Sequence, residues 1–85
     1  KESLRKEWFE SNRLTSAKFI IEKNNMTTVQ VKELMLLFTF ESNRLEVAKA
    51  AYRKTVDKHN YYLVNEALTF SSSKEELARF IRESR

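Results

Sequence analysis

The sequence predicts an all-α protein: stacked antiparallel helical hairpins in about two and a half repeats of 30–31 residues, five to six helices in total. Three observations predict it. Glycine, proline and cysteine are all absent from the 85 residues. The tight turns that strand-rich domains rely on are therefore hard to make, and neither a disulfide nor a thiolate metal site is possible. The chain is instead rich in helix-favouring Ala, Leu, Lys, Glu and Arg. Finally, the hexapeptide Phe-Glu-Ser-Asn-Arg-Leu occurs twice, at 9–14 and again at 40–45.

Aligning Phe9, Phe40 and Phe70 brings Ser11, Ser42 and Ser72 together. Behind them fall Arg13, Arg44 and Lys74, then Ala17, Ala48 and Ala78, then Lys18, Lys49 and Arg79. Ile20, Ala51 and Ile81 close the set. Later positions also correspond: Met26 with Val56, Thr27 with Asp57, Val31 with Tyr61, Leu34 with Val64 and Phe38 with Leu68. The units are 9–39, 40–69 and 70–85 within a single domain of residues 1–85. One hairpin cannot bury its own apolar face, so stacked copies share a core.

A short first helix is expected over Glu2–Trp8, with Trp8 covering the open end of the stack. The next helix, Asn12–Lys23, carries Leu14, Ala17 and Ile21 on one face, and Ser11 or Asn12 can cap it. Thr28–Thr39 follows. Thr27 and Gln30 make a capping box, and Met26 and Val31 stand where a hydrophobic staple requires. Its segment Val-Lys-Glu-Leu-Met-Leu-Leu-Phe is apolar nearly all round, which places it at the centre of the domain. Asn43–Thr55 repeats the first stripe with Leu45, Ala48 and Tyr52. Lys58–Thr69 repeats the staple, with Asp57 as cap, Val56 and Tyr61 as the apolar pair, and Tyr61, Val64 and Leu68 as the buried stripe. Ser73–Glu83 closes the chain, capped by Ser72 or Ser73, with Glu75 or Glu76 completing a capping box.

The segments Arg-Leu-Thr-Ser-Ala-Lys, Met-Thr-Thr-Val-Gln-Val-Lys-Glu-Leu, Ser-Asn-Arg-Leu-Glu-Val-Ala-Lys, Val-Asp-Lys-His-Asn-Tyr-Tyr and Ser-Ser-Ser-Lys-Glu-Glu-Leu-Ala-Arg-Phe-Ile, in this order and spacing, resemble the domain-of-unknown-function family four-four-seven-six. The resemblance runs from Phe9 to Ile81. It implies a compact helical repeat domain in a longer protein, exported where members are bacterial, and it carries no catalytic residues over. Lys58 stands where a proline is common, and Phe80 where a tyrosine is frequent.

The residues point away from catalysis. Without glycine there is no nucleophile elbow, P-loop or dinucleotide fingerprint. His59 is the single histidine, too little for a transition-metal site, and Ser71 to Ser73 read as caps. No cofactor and no small-molecule substrate are expected. No apolar run approaches the ~20 residues that span a bilayer, so no membrane insertion is expected. The net charge of +4 is modest and its signs are interspersed.

The expected function is protein–protein contact, or an accessory role in a longer chain. A basic helical domain binding nucleic acid is the alternative, and a less favoured one. Candidate partner-binding residues are Tyr62 with Asn65 one turn on, and the cluster Lys49, Arg53 and Lys54. Tyr62 points away from the stripe that Tyr61 follows, and exposed tyrosines suit interfaces. Arg13 and Arg44 are unusual: each is a cation in the first turn expected for its helix, where the dipole disfavours it. An ion pair with a neighbouring hairpin, or capping of a preceding helix's carbonyls, is the simplest reading.

Overall fold

The structure is a computed structural model that describes the backbone of residues 2–84 and the side chains of residues 9–84. It is all-α: α1 (Glu2–Lys23), α2 (Thr28–Met35), α3 (Glu41–Tyr52), a 3₁₀ helix η1 (Lys58–Ala67) and α4 (Ser71–Ser84). No helix among the described residues is long and apolar enough to cross a membrane. The Trp8 side chain lies outside the described residues.

The central helix is α3, not the one over residues 28–39. It packs against α1, α2, α4 and η1. Its Val47, Ala48 and Ala51 are fully buried with Val31 and Met35 of α2 and Val64 of η1. Leu36 and Leu37, in the segment expected at the centre of the domain, are exposed. The helix ends at Met35 and the chain turns there, so these two side chains leave the buried face.

The repeated hexapeptide behaves differently in its two copies. At 9–14 it lies inside α1, which runs unbroken through the expected gap between two helices. Nothing in Phe-Glu-Ser-Asn-Arg-Leu forbids helix, and the residues before it, Lys6-Glu7-Trp8, favour continuation. At 40–45 it opens α3, with Phe40 extended at the N-cap and no cap from Ser42 or Asn43. What precedes Phe40 and Phe70 alike is a threonine, Thr39 or Thr69, and both Thr-Phe pairs are non-helical.

Glutamates from earlier helices satisfy the open N–H groups at these junctions. Glu10 accepts hydrogen bonds from the backbone of Thr39 (2.6 Å) and Phe40 (3.2 Å) and from Asn43 Nδ2 (2.9 Å). Glu41, the equivalent residue, accepts from Thr69 (2.9 Å) and Phe70 (2.9 Å). A carboxylate at a helix N-terminus satisfies orphan donors and faces the positive end of the helix dipole. Burial pushes the Glu10 carboxyl up. The bonds from Asn43, Thr39 and Phe40 outweigh it and hold the group below the ordinary 4.5. Glu41 is likewise pushed up by burial, yet bonds from Phe70, Thr69 and Ser73 and the charge of Arg44 hold it low.

The opposite end of the molecule is tied the same way. Met26 N–H donates to Lys54 O (2.9 Å) and Val56 N–H to Met26 O (2.9 Å), an isolated bridge between two loops. Thr27 and Gln30 form the expected capping box on α2. Asp57 does not cap its own helix. Its carboxylate accepts the Thr28 N–H at 2.8 Å, at the start of α2, and this bond holds the carboxyl low. Val56 is exposed, so the second staple does not form. The helix after it is 3₁₀, and its buried residues Tyr61, Val64 and Ala67 recur every third position, as three residues per turn require.

Two ion pairs join neighbouring helices: Lys18 with Glu46 (3.1 Å) across α1 and α3, and Lys49 with Glu76 (2.6 Å) across α3 and α4. Ala17 and Ala48 are buried, but Ala78 is exposed. α2 packs on α3, whereas η1 stands off α4, so no described helix covers Ala78. Tyr61 is buried, donates its hydroxyl to Ala48 O, and meets Tyr52 edge-on at 5.0 Å. Burial pushes its phenol well above the ordinary range.

Replacing Glu10 or Glu41 with Gln removes the charge and one acceptor oxygen, at a cost of about 1–2 kcal/mol each in urea denaturation at neutral pH. Folding depresses both carboxyls, so their contribution is complete above the ordinary value of 4.5 and is lost as pH falls through the lower folded values. The Gln variants should therefore lose less stability than wild type over that acid range. Tyr61→Ala should cost about 3–5 kcal/mol through the cavity it leaves, and Tyr61→Phe about 1 kcal/mol, for the hydroxyl bond to Ala48.

Candidate functional site

The structure divides the five predicted partner-binding residues between two shallow grooves that share no residue. Tyr62 and Asn65 come together, one turn apart on η1, beside a groove of about 450 Å³ between η1 and α4. Tyr62 is 67% exposed and Asn65 half-buried. Lys58, His59, Lys74 and Arg82 line the same groove, and no carboxylate does. Its floor is Tyr61 and Leu77. Lys58 is partly committed: its ammonium donates to Arg53 O (3.3 Å) and Thr55 O (3.0 Å), at the C-terminal end of α3, where a cation suits the dipole.

Lys49, Arg53 and Lys54 line the second groove, of about 460 Å³, but acidic residues share it. Lys49 is bonded to Glu76 and lies 5.9 Å from the centre of the Phe80 ring. This contact holds the Glu76 carboxyl below its usual range. Glu22 and Glu46 line the same wall, and Lys18 pairs with Glu46. The basic cluster is thus a mixed-charge seam between first helices, with Arg53 its exposed cation.

Arg44 finds the partners its position required. Nε donates to Phe38 O at 2.7 Å, and a terminal nitrogen donates to Ala67 O at 3.1 Å. One guanidinium therefore clips the chain just past α2 to the end of η1. Arg13, its equivalent, is exposed, and its side chain makes no hydrogen bond or ion pair with a described residue.

Sequence reasoning missed a third surface. Between α1 and α2 lies an apolar groove of about 560 Å³, lined by Phe9, Ala17, Ile20, Leu34, Leu37 and Phe38, with Arg13 on its rim. Ile20 is 57% exposed and Leu37 64%. A neighbouring hollow lined by Met26, Gln30 and Leu34 continues it. The signal was present in the alignment. Ile20 and Leu37 stand where the next unit has Ala51 and Ala67, both buried beneath a neighbouring element.

No curated protein and no solved structure matches the chain. The family model described as Domain of unknown function (DUF4476) matches residues 1–81. With nearly its whole length matched, the chain belongs to that family.

Proposed function

We propose that this chain is a non-catalytic helical repeat module that binds another protein, with the groove between α1 and α2 as its principal contact surface. The observation that carries the reading is the exposure of Ile20 and Leu37, 57% and 64%, side by side around that groove. A contiguous apolar surface rimmed by polar groups, here Asn12, Arg13 and Ser16, is characteristic of interaction sites. The groove holds no arrangement of nucleophile, base and orienting group, which supports a binding role over a catalytic one.

A second reading, nucleic-acid binding, is favoured by one observation: the groove beside Tyr62 is lined by Lys58, His59, Lys74 and Arg82 without a carboxylate. A tyrosine among cations can stack a base. The pairing of Lys18, Lys32 and Lys49 with glutamates leaves little positive field elsewhere, which favours the protein reading.

Selection of a displayed peptide library against the domain tests the first reading. Enriched peptides should be apolar and should lose binding to Leu37→Glu, whose exposed position leaves the unfolding free energy within about 0.5 kcal/mol of wild type. A selection that yields nothing sensitive to Leu37→Glu contradicts it. Titration with single-stranded DNA tests the second. Weak binding that falls steeply with salt is expected. A tight complex at physiological salt, lost in Tyr62→Ala while that variant melts like wild type, would make nucleic acid the ligand.

A further inference from the structure

The reading of the α1–α2 groove as a protein-binding surface can be carried to the form of its occupant. The position of that groove recurs in the next unit, and there it is filled. The residues corresponding to Ala17, Ile20, Leu34 and Leu37 are Ala48, Ala51, Val64 and Ala67, and all four are buried. The element packed on α3 and η1 at that place is α2 of the preceding unit. Its far end is held by Arg44, which donates to Phe38 O, just past α2, and to Ala67 O at the end of η1. The first unit has the matching apolar wall, and it has the matching arginine, Arg13, whose side chain no carbonyl among the described residues receives.

We propose that the groove between α1 and α2 receives an amphipathic helix of another protein, parallel to α2, with its C-terminal carbonyls on Arg13. The inference rests on the protein-binding reading and adds the occupant's secondary structure, chemistry and direction. A guanidinium is suited to this task because the last carbonyls of a helix lack intrahelical partners and carry the negative end of its dipole. Ile20 and Leu37 are larger than Ala51 and Ala67, so the slot is shallower than the one α2 fills. The occupant's contact stripe is correspondingly made of smaller apolar side chains. A second copy of this chain is a poorer occupant, because its own α2 is already packed on α3 and η1.

Two synthetic peptides serve as probes: residues 26–40 of this chain, and the same peptide with Met35→Ala. Fluorescence anisotropy should show saturable binding of at least one of them to the intact domain. Leu37→Glu should abolish it, since the groove would then bury a charge. Arg13→Ala should weaken it about tenfold, the loss of a charged hydrogen bond. A photo-crosslinker at the peptide's C-terminus should label α1 near Arg13, and one at its N-terminus should label the Asn24–Met26 end. Both variants alter exposed side chains and should melt like wild type. Absence of saturable binding by both peptides, or binding indifferent to Arg13, overturns the proposal. Leu37-dependent self-association in ultracentrifugation also overturns it, by making a second copy the occupant. Library ligands that need Leu37 but are non-helical or indifferent to Arg13 would overturn this inference alone, whereas a library without any Leu37-dependent ligand removes the reading beneath it.

Discussion

A carboxylate reaching across 28–30 residues to the start of a later helix is the contact on which this architecture turns. A chain without glycine or proline has few local means of stopping one helix and starting another. The backbone around Thr39–Phe40 and Thr69–Phe70 leaves helical geometry, and the freed N–H groups need acceptors. Ser42, Asn43 and the serines at 71–73, good capping residues by type, do not lead there. Glu10 and Glu41 do, each in a helix that packs beside the one it caps. A junction is thereby formed only when its neighbour is in place, so local structure and tertiary packing are coupled at the same atoms. Asp57 extends the rule to the other end of the molecule by accepting the first N–H of α2.

Packing follows from this arrangement. With its N-terminus pinned by Glu10, α3 can bury Val47, Ala48 and Ala51 on elements to several sides and become the core helix. The small residues at 48 and 51 let α2 approach closely, and Tyr61 closes the gap with its hydroxyl on Ala48 O. The ion pairs Lys18–Glu46 and Lys49–Glu76 repeat along the seam of first helices. Their exposed geometry makes them weak contributors to stability, and more important for register. The same register leaves Arg13 and the groove beside it facing outward, so the candidate binding surface is a by-product of how the helices fit together.

Much of this was legible in the sequence, and the failures have identifiable causes. The absence of breakers and the spacing of Leu45, Ala48 and Tyr52 are local signals, and the all-α class and the α3 stripe follow from them. Thr27 and Gln30 cap α2 as their spacing requires. Local reasoning failed where a distant group replaced the local one. Serines suit capping by type, yet Glu10 and Glu41 perform it. Asp57 stands at the start of its own helix and serves another. The two hexapeptides look alike as breaks, although a threonine precedes only the second. The period of three in Tyr61, Val64 and Ala67 marks a 3₁₀ helix, but a 3.6-residue template fits Tyr61, Val64 and Leu68 as well. Of the candidate site, the exposure of Tyr62 beside Asn65 was readable from helical geometry. The neutralisation of Lys49 by Glu76 was not, because it depends on which helices lie side by side.

The claim that distant carboxylates set the helix starts is tested most directly by a nuclear magnetic resonance pH titration that follows the glutamate carboxyl carbons together with the backbone amides. The Glu10 and Glu41 carboxyls should titrate below the ordinary 4.5. The amide protons of Thr39 and Phe40 should shift with the midpoint of Glu10, and those of Thr69 and Phe70 with the midpoint of Glu41. Carboxyls that titrate at or above 4.5, with those four amides unmoved, would contradict the account.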